Sequence, residues 1–245
     1  MSRRIPLSGV LLVQDNEDTV DAVLDQLLSI CGEVVVVDGG SRDSTPDRVL
    51  ARERTRLYPR PFSGNLAEQK NFALDQALGE WILLLDSDEL LCREALAGIP
   101  RWIRSPWCRW YKFARLWLLP EEKGGPPQHF LKSPRHHPDW QLRLFRNAAP
   151  FRYDLGRSPV HHNFPKRGRG RGRKQAAAHL LHFDFLLKDR AAREAKVENY
   201  RTLDPASEAT HAMYLWEDYP GAEAAELPAC ARGLEIRGGT GPGPG

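Results

Sequence analysis

The sequence predicts an α/β fold, a mostly parallel central sheet flanked by helices with a smaller region beyond it, and three observations predict it. Short apolar runs without alternation, "GVLLV" (9–13), "EVVVVD" (33–38) and "WILLLD" (81–86), read as strands buried on both faces. Segments of helical period separate them, the arrangement that gives parallel strands joined by right-handed crossovers. Each run then ends in a polar cluster: "QDNED" (14–18), "DGGSRDST" (38–45) and "DSDE" (86–89). In such sheets ligands bind beyond the carboxyl ends of the strands, so three acidic endings at one edge predict a site.

The elements follow in order. "TVDAVLDQLLSI" (19–30) sets Val20, Val23, Leu24, Leu27 and Leu28 on one helical face, with Thr19 as N-cap. "STPDRVLARER" (44–54) is a helix with Pro46 in its first turn. "NLAEQKNFALDQALG" (65–79) is amphipathic and is expected to stop at Gly79. A further helix is expected to start directly in "SDELLCREALAGI" after the third strand. Past residue 100 the chain is rich in Trp, Pro and Arg. Strands are expected over 109–119 and 140–146, with the long loop "PEEKGGPPQHFLKSPRHHPD" between them. The second strand is expected to set Arg143 and Arg146 opposite Leu142 and Leu144. A last strand over 178–186 precedes a charged helix over 188–201.

Composition sets the limits. The chain has 245 residues, enough for one domain with a full core, and its 41% apolar and 27% charged content is that of a soluble globular protein. A net charge of +3 points to no particular partner. The four cysteines are scattered, without a C-x-x-C pair, and are expected to be reduced thiols without a metal site or disulfide, as in a cytoplasmic protein. The apolar run near the N-terminus is too short for a signal peptide or membrane span. The tract "KRGRGRGRK" (166–174) is low in complexity and is expected to be mobile. Three readings stay open for it: a solvated loop, a patch for an anionic lipid or phosphorylated acceptor, and an RNA-binding segment.

The ordered set Asn16-Glu17, "DGGSRDST", Gln69-Lys70-Asn71, Asp86 to Glu89 and "WQLRLFRN" (140–147) resembles the inverting GT-A glycosyltransferases of family 2. Within that family it is similar to the small bacterial branch that includes lipopolysaccharide-core glucosyltransferases. The resemblance implies one GT-A domain over 1–220, with a nucleotide-binding half (1–100), an acceptor-side half (101–220) and a tail (221–245) that ends disordered. It implies transfer from a nucleotide sugar, taken as a UDP-sugar, to a glycan or lipid-linked acceptor. The cofactor implied is Mg²⁺ or Mn²⁺, which takes oxygen ligands and stabilises the departing diphosphate.

By resemblance Asp88 is the metal ligand and Asp86 lies near the metal or the ribose. Asp38 holds the nucleobase or ribose, and Asn16 and Glu17 line the same pocket. Lys70 faces the donor or is a solvated helix residue. Arg143 reaches the diphosphate or lies on a solvated strand face. Asp43 with Ser44 and Thr45 is either a helix cap or a ligand contact.

An inverting displacement needs a base for the acceptor hydroxyl. The branch carries a His-Glu pair after its R-L-F-R strand, and here "SPVHHNF" puts His161 at the first place and His162 where Glu is expected. His162 and Asp139 are the candidates, with Asp184 and Asp218 as rivals. A zinc reading of His136, His137, His161 and His162 lacks the ligand spacing of known motifs. The alternatives are a sugar nucleotidyltransferase, whose glycine-rich phosphate loop is missing after the first strand, and a non-enzymatic RNA or anionic-surface binder acting through 166–174. Nucleic acid is not the expected partner; a cytoplasmic enzyme with peripheral contact at the inner membrane face is.

Overall fold

The computed structural model describes residues 6–121, 125–134, 137–155, 170–207 and 211–232. Four strands form its parallel part: β1 (Leu7–Val13), β2 (Glu33–Asp38), β3 (Thr55–Pro59) and β4 (Trp81–Asp86). Their spatial order is β4-β1-β2-β3, with β1 paired in parallel to both β2 and β4. The chain leaves β1 toward β2 and returns on its other side as β4, so the order reverses at β1, where α/β sheets open a binding crevice. The weakly apolar "TRLYP" forms β3, an edge strand that the apolar-run pattern misses.

Period-two alternation within each run explains why these strands are apolar throughout. Leu11, Val34, Val36, Leu83 and Leu85 face one layer with α1 (Val20–Ile30), α2 (Thr45–Leu50) and α4 (Arg93–Trp102). Val10, Val35, Val37, Ile82 and Leu84 face the other with α3 (Leu66–Gln76). Both faces are covered, so neither can be polar.

The helix ends differ in part from expectation. Thr19 holds the N-cap position but gives no side-chain cap; the carbonyl of Asn16 instead accepts from the Thr19 and Val20 amides at 3.0 and 2.9 Å. α2 ends at Leu50, well short of residue 54. α3 is capped by Asn65, whose Oδ1 accepts from Ala67 N and Glu68 N, and ends at Ala77 in extended conformation. Gly79 therefore does not stop the helix. It lets the chain pass β1, where a Cβ would lie 2.5 Å from Ser8 Oγ.

The second half is antiparallel in large part. β5 (Glu89–Leu91) interposes between "DSDE" and α4, where a helix was expected to start at once. β6 (Trp110–Leu118) pairs antiparallel with β8 (Asp139–Arg146), which in turn joins β4. The expected long loop between them contains β7 (His129–Lys132). The strand expected over 178–186 is β9 (Gly172–His182), which starts inside the basic tract and pairs with β5 and β6. Residues 172–174 of that tract are thus strand, while 166–169 lie outside the described residues. α5 (Asp184–Leu187) and α6 (Arg190–Leu203) follow, and β10 (Glu223–Glu226), from the expected tail, pairs with β7.

One irregularity positions the site. Tyr111 pairs with Leu144 and Lys112 with Leu142, so the register skips Arg143. A bulge of this kind reverses the facing of the strand beyond it. Leu144 therefore joins the α1 and α4 layer while Leu142 joins the α3 layer. The expected arrangement of arginines opposite leucines fails for the same reason, and because residues three apart lie on opposite faces of a regular strand. Arg143 points inward at 4% exposure; Arg146 lies over the Trp81 ring and pairs with Glu80.

Candidate active site

The loops after β1 and β2 are stitched edge to edge. Asp15, at positive φ, donates its amide to Ser41 Oγ and accepts from Arg42 N. Asn16 N donates to Thr45 Oγ1 (2.8 Å), and its Oδ1 accepts from Gln14 N. Glu17 N donates to Asp43 Oδ2, while Glu17 Oε2 accepts from the amide and hydroxyl of Ser44. Asp43 Oδ1 takes Thr45 N at 2.9 Å, an Asx turn just ahead of α2, whose N-cap Ser44 gives no side-chain cap. These side chains fix loop shape, Asn16 and Glu17 included. Asp38, buried at the end of β2, accepts from the Ser41 amide and hydroxyl.

β4 and β5 bring two carboxylate clusters side by side. In the first, Asp86 accepts from Lys70 Nζ at 3.0 Å and from Arg143 Nη2. Arg143 Nη2 also reaches Glu89 Oε1 at 2.6 Å, and Glu89 has no exposed surface. Arg115 touches both Glu89 (3.4 Å) and Asp139 (2.8 Å). Three carboxylates thus meet three cations. Burial alone would raise the Asp86 carboxyl, but Arg143, Lys70 and Arg115 more than reverse this and hold it well below the ordinary range. Arg143 and Lys70 are both buried, so each braces Asp86 rather than standing free. Asp139 accepts from Arg115, Trp117 Nε1 and Gln141, and these bonds and the Arg115 charge outweigh its burial and lower its pKa. So arranged, it is a weak base.

In the second cluster Asp88 has no lysine or arginine within ion-pair distance among the described residues. Its partner is His182, at the end of β9, with Nε2 3.4 Å from Asp88 Oδ2. The imidazole leans on the Trp117 ring with centroids 4.0 Å apart. Burial, then the Arg115 charge, holds its pKa down to about 3, so the ring is neutral. Its Nδ1 is buried without a partner. Burial raises the Asp88 carboxyl, with Asp184 and Asp86 adding to the effect against Lys196. Asp184, fully buried, engages Lys188 and Lys196 through Oδ1 while its Oδ2 has no partner.

A carboxylate without its own cation beside a neutral imidazole is a donor set that fits a divalent metal. Sequence reasoning missed His182, and its signal was the polar ending "LLHFD" on an apolar strand. It also kept the cysteines apart: Cys92, Glu94 and Cys230 offer ligand atoms within 4.8 Å of one another. His162 lies outside the described residues, as do His136 and His161. Asp218 is exposed and paired with Arg190.

Residues 14–113 match the sequence profile of "Glycosyl transferase family 2". The chain is 29% identical over 209 residues to the lipopolysaccharide core biosynthesis glycosyltransferase LpsC of Rhizobium meliloti, covering 83% of this chain and 72% of that one. It is 32% identical over 147 residues to a TPR repeat-containing protein of Synechococcus elongatus, covering 60% of this chain but only 33% of that relative's length. Among solved structures it is similar to Staphylococcus aureus TarS 1-349 in complex with UDP, at 17% identity over 86% of this chain and 70% of that one, with a TM-score of 0.49. A match to glucosyl-3-phosphoglycerate synthase of Mycobacterium tuberculosis, crystallised with Mn²⁺, UDP and glucosyl-3-phosphoglycerate, covers 45% and 44% at 23% identity and a TM-score of 0.36. The family match spans the α/β crevice and the D-x-D ending of β4. Residues 14–113 are thus similar to glycosyltransferase family 2, and the longer match to LpsC runs on into the second half.

Proposed function

We propose that the chain is a metal-dependent inverting glycosyltransferase that moves a sugar from a nucleotide sugar, a UDP-sugar, to a glycan or lipid-linked acceptor. The observation that carries this reading is the Asp88–His182 pair at the crevice, lacking a cation of its own beside a charge-balanced brace. The printed name of LpsC, a lipopolysaccharide core glycosyltransferase, supports a glycan acceptor.

Asp88 and His182 would hold Mg²⁺ or Mn²⁺, which when bound offsets charge on the leaving diphosphate. Asp86 would act beside them, keeping Lys70 and Arg143 fixed at the diphosphate end. Asp38 would accept from the nucleobase or ribose, and Asn16 and Glu17 would hold the loop that walls the pocket. In the displacement the acceptor oxygen bonds to the anomeric carbon as the bond to the diphosphate oxygen breaks. The hydroxyl proton passes to a base on the acceptor side, which we assign to His162, since an imidazole side chain is a common general base. Asp139 serves instead to hold Arg115. Among the described residues no helix is long and apolar enough to cross a membrane.

Thermal-shift binding of UDP, GDP, CDP and TDP, with and without Mn²⁺, tests the reading. UDP is expected to stabilise the protein in a metal-dependent manner. If no nucleoside diphosphate does so, the reading fails.

A further inference from the structure

A second polar cavity lies at the opposite end of the β6–β9 pair from Asp88 and His182. Arg101, Trp107, Tyr111, Arg171 and Arg173 line it over a volume of about 310 Å³. A neighbouring cavity of about 400 Å³ shares Arg101, Trp102 and Gln175 with it. Trp110 pairs with Gly172 at this end of β6, and Trp117 with His182 at the other. Seven strand residues separate the two ends, about 23 Å at the rise of a strand, so this cavity is no extension of the donor pocket.

Its frame is built. Gly172 lies flat on Trp110, where a Cβ would come within 2.0 Å of the ring. Trp110 Nε1 donates to Gly170 O at 3.0 Å, and Arg109 N donates to Arg171 O at 2.8 Å, which sets the backbone carrying Arg171 and Arg173. Trp102 stacks on Tyr111 at 5.7 Å and accepts the Tyr111 hydroxyl at its carbonyl, forming an aromatic floor.

The charges above that floor are unspent. Arg48, Arg52, Arg56, Arg143, Arg152 and Arg193 each pair with a carboxylate. Arg101, Arg171 and Arg173 pair with none among the described residues. The one carboxylate bordering either cavity, Glu94, lies 3.9 Å from Arg93. Beside them Trp107 is 74% exposed, more than any other large hydrophobic side chain among the described residues. Unpaired guanidinium groups next to an exposed indole match the chemistry of a membrane interface, where arginines meet lipid phosphates and Trp sits at headgroup level.

We propose that this face docks on an anionic phospholipid bilayer, with a headgroup phosphate in the Arg101–Arg171–Arg173 cavity and Trp107 in the interface. The test is flotation of the full chain with vesicles of phosphatidylcholine alone and of phosphatidylcholine with phosphatidylglycerol. The chain and a triple variant, R101Q/R171Q/R173Q, are compared, with UDP binding as the control for folding and for the donor site. The chain is expected to float with the anionic vesicles only. The triple variant should bind them about 100-fold more weakly, at about 1 kcal/mol per basic residue, while keeping its UDP binding. W107A should weaken vesicle binding without changing the preference for anionic lipid. Equal binding to neutral vesicles, or unchanged binding by the triple variant, overturns the proposal. So does saturation of the arginines by inorganic phosphate or RNA with no vesicle binding, since the occupant would then be another anion.

Discussion

Two carboxylate clusters separated by a single serine, Ser87, have opposite characters. Around Asp86 every charge is answered: Lys70 and Arg143 hold Asp86, Arg143 and Arg115 hold Glu89, and Arg115 holds Asp139. Around Asp88 the charge is left open beside a neutral, partly unsatisfied imidazole. The difference teaches that a D-x-D ending need not be two equivalent ligands. One carboxylate is tied into the framework by Lys70 and Arg143, and its neighbour faces His182 with no lysine or arginine beside it among the described residues.

The comparison breaks most visibly at Glu89. Glu89→Gln leaves three largely buried cations, Lys70, Arg143 and Arg115, facing only two carboxylates, Asp86 and Asp139, and is expected to cost about 3–5 kcal/mol of stability, read by urea unfolding. Asp88→Ala removes no ion pair with lysine or arginine. It should leave urea stability nearly unchanged while weakening metal-dependent UDP binding by at least about 100-fold in calorimetry. If Asp88→Ala unfolds the protein and Glu89→Gln does not, the two roles are reversed.

Asp139 sharpens the boundary between brace and chemistry. Asp139→Asn should lower turnover by less than about tenfold, against about 10²–10⁴ for loss of a catalytic base. Its carboxyl is held below the ordinary 3.8, so the stability it contributes is present above that value and lost as pH falls through its lower folded value. Acid unfolding of Asp139→Asn should accordingly be less steep below pH 3.8 than that of the parent. The smallest effect is expected at Asn65→Ala, which removes the α3 cap and should cost about 1 kcal/mol without altering UDP affinity.

Much of the first half of the chain was legible because apolar runs, caps and polar endings are local signals. β1, β2 and β4 and their acidic ends fall where "GVLLV", "EVVVVD" and "WILLLD" place them. β3 was not legible, since a half-buried edge strand, with Leu57 and Tyr58 packing on opposite layers, carries little apolar signal. β5 was hidden because three residues show no period, and β7 and β10 because they lie in polar stretches and pair only with each other and β6. His182 and the bulge at Arg143 depend on the pairing of distant strands, β9 with β5 and β8 with β6, which no spacing within a strand reveals. The acidic strand ending could be read; that Asp86 is paired with Lys70 and Arg143 while Asp88 faces His182 required the third dimension.

The claim that Asp88 and His182 form the open metal end is tested most directly by Mn²⁺ titration of His182→Ala in the presence of UDP. Mn²⁺ affinity is expected to fall by about 10–100-fold while UDP binding in EDTA stays at the level of the parent protein. Unchanged Mn²⁺ affinity in His182→Ala would contradict it.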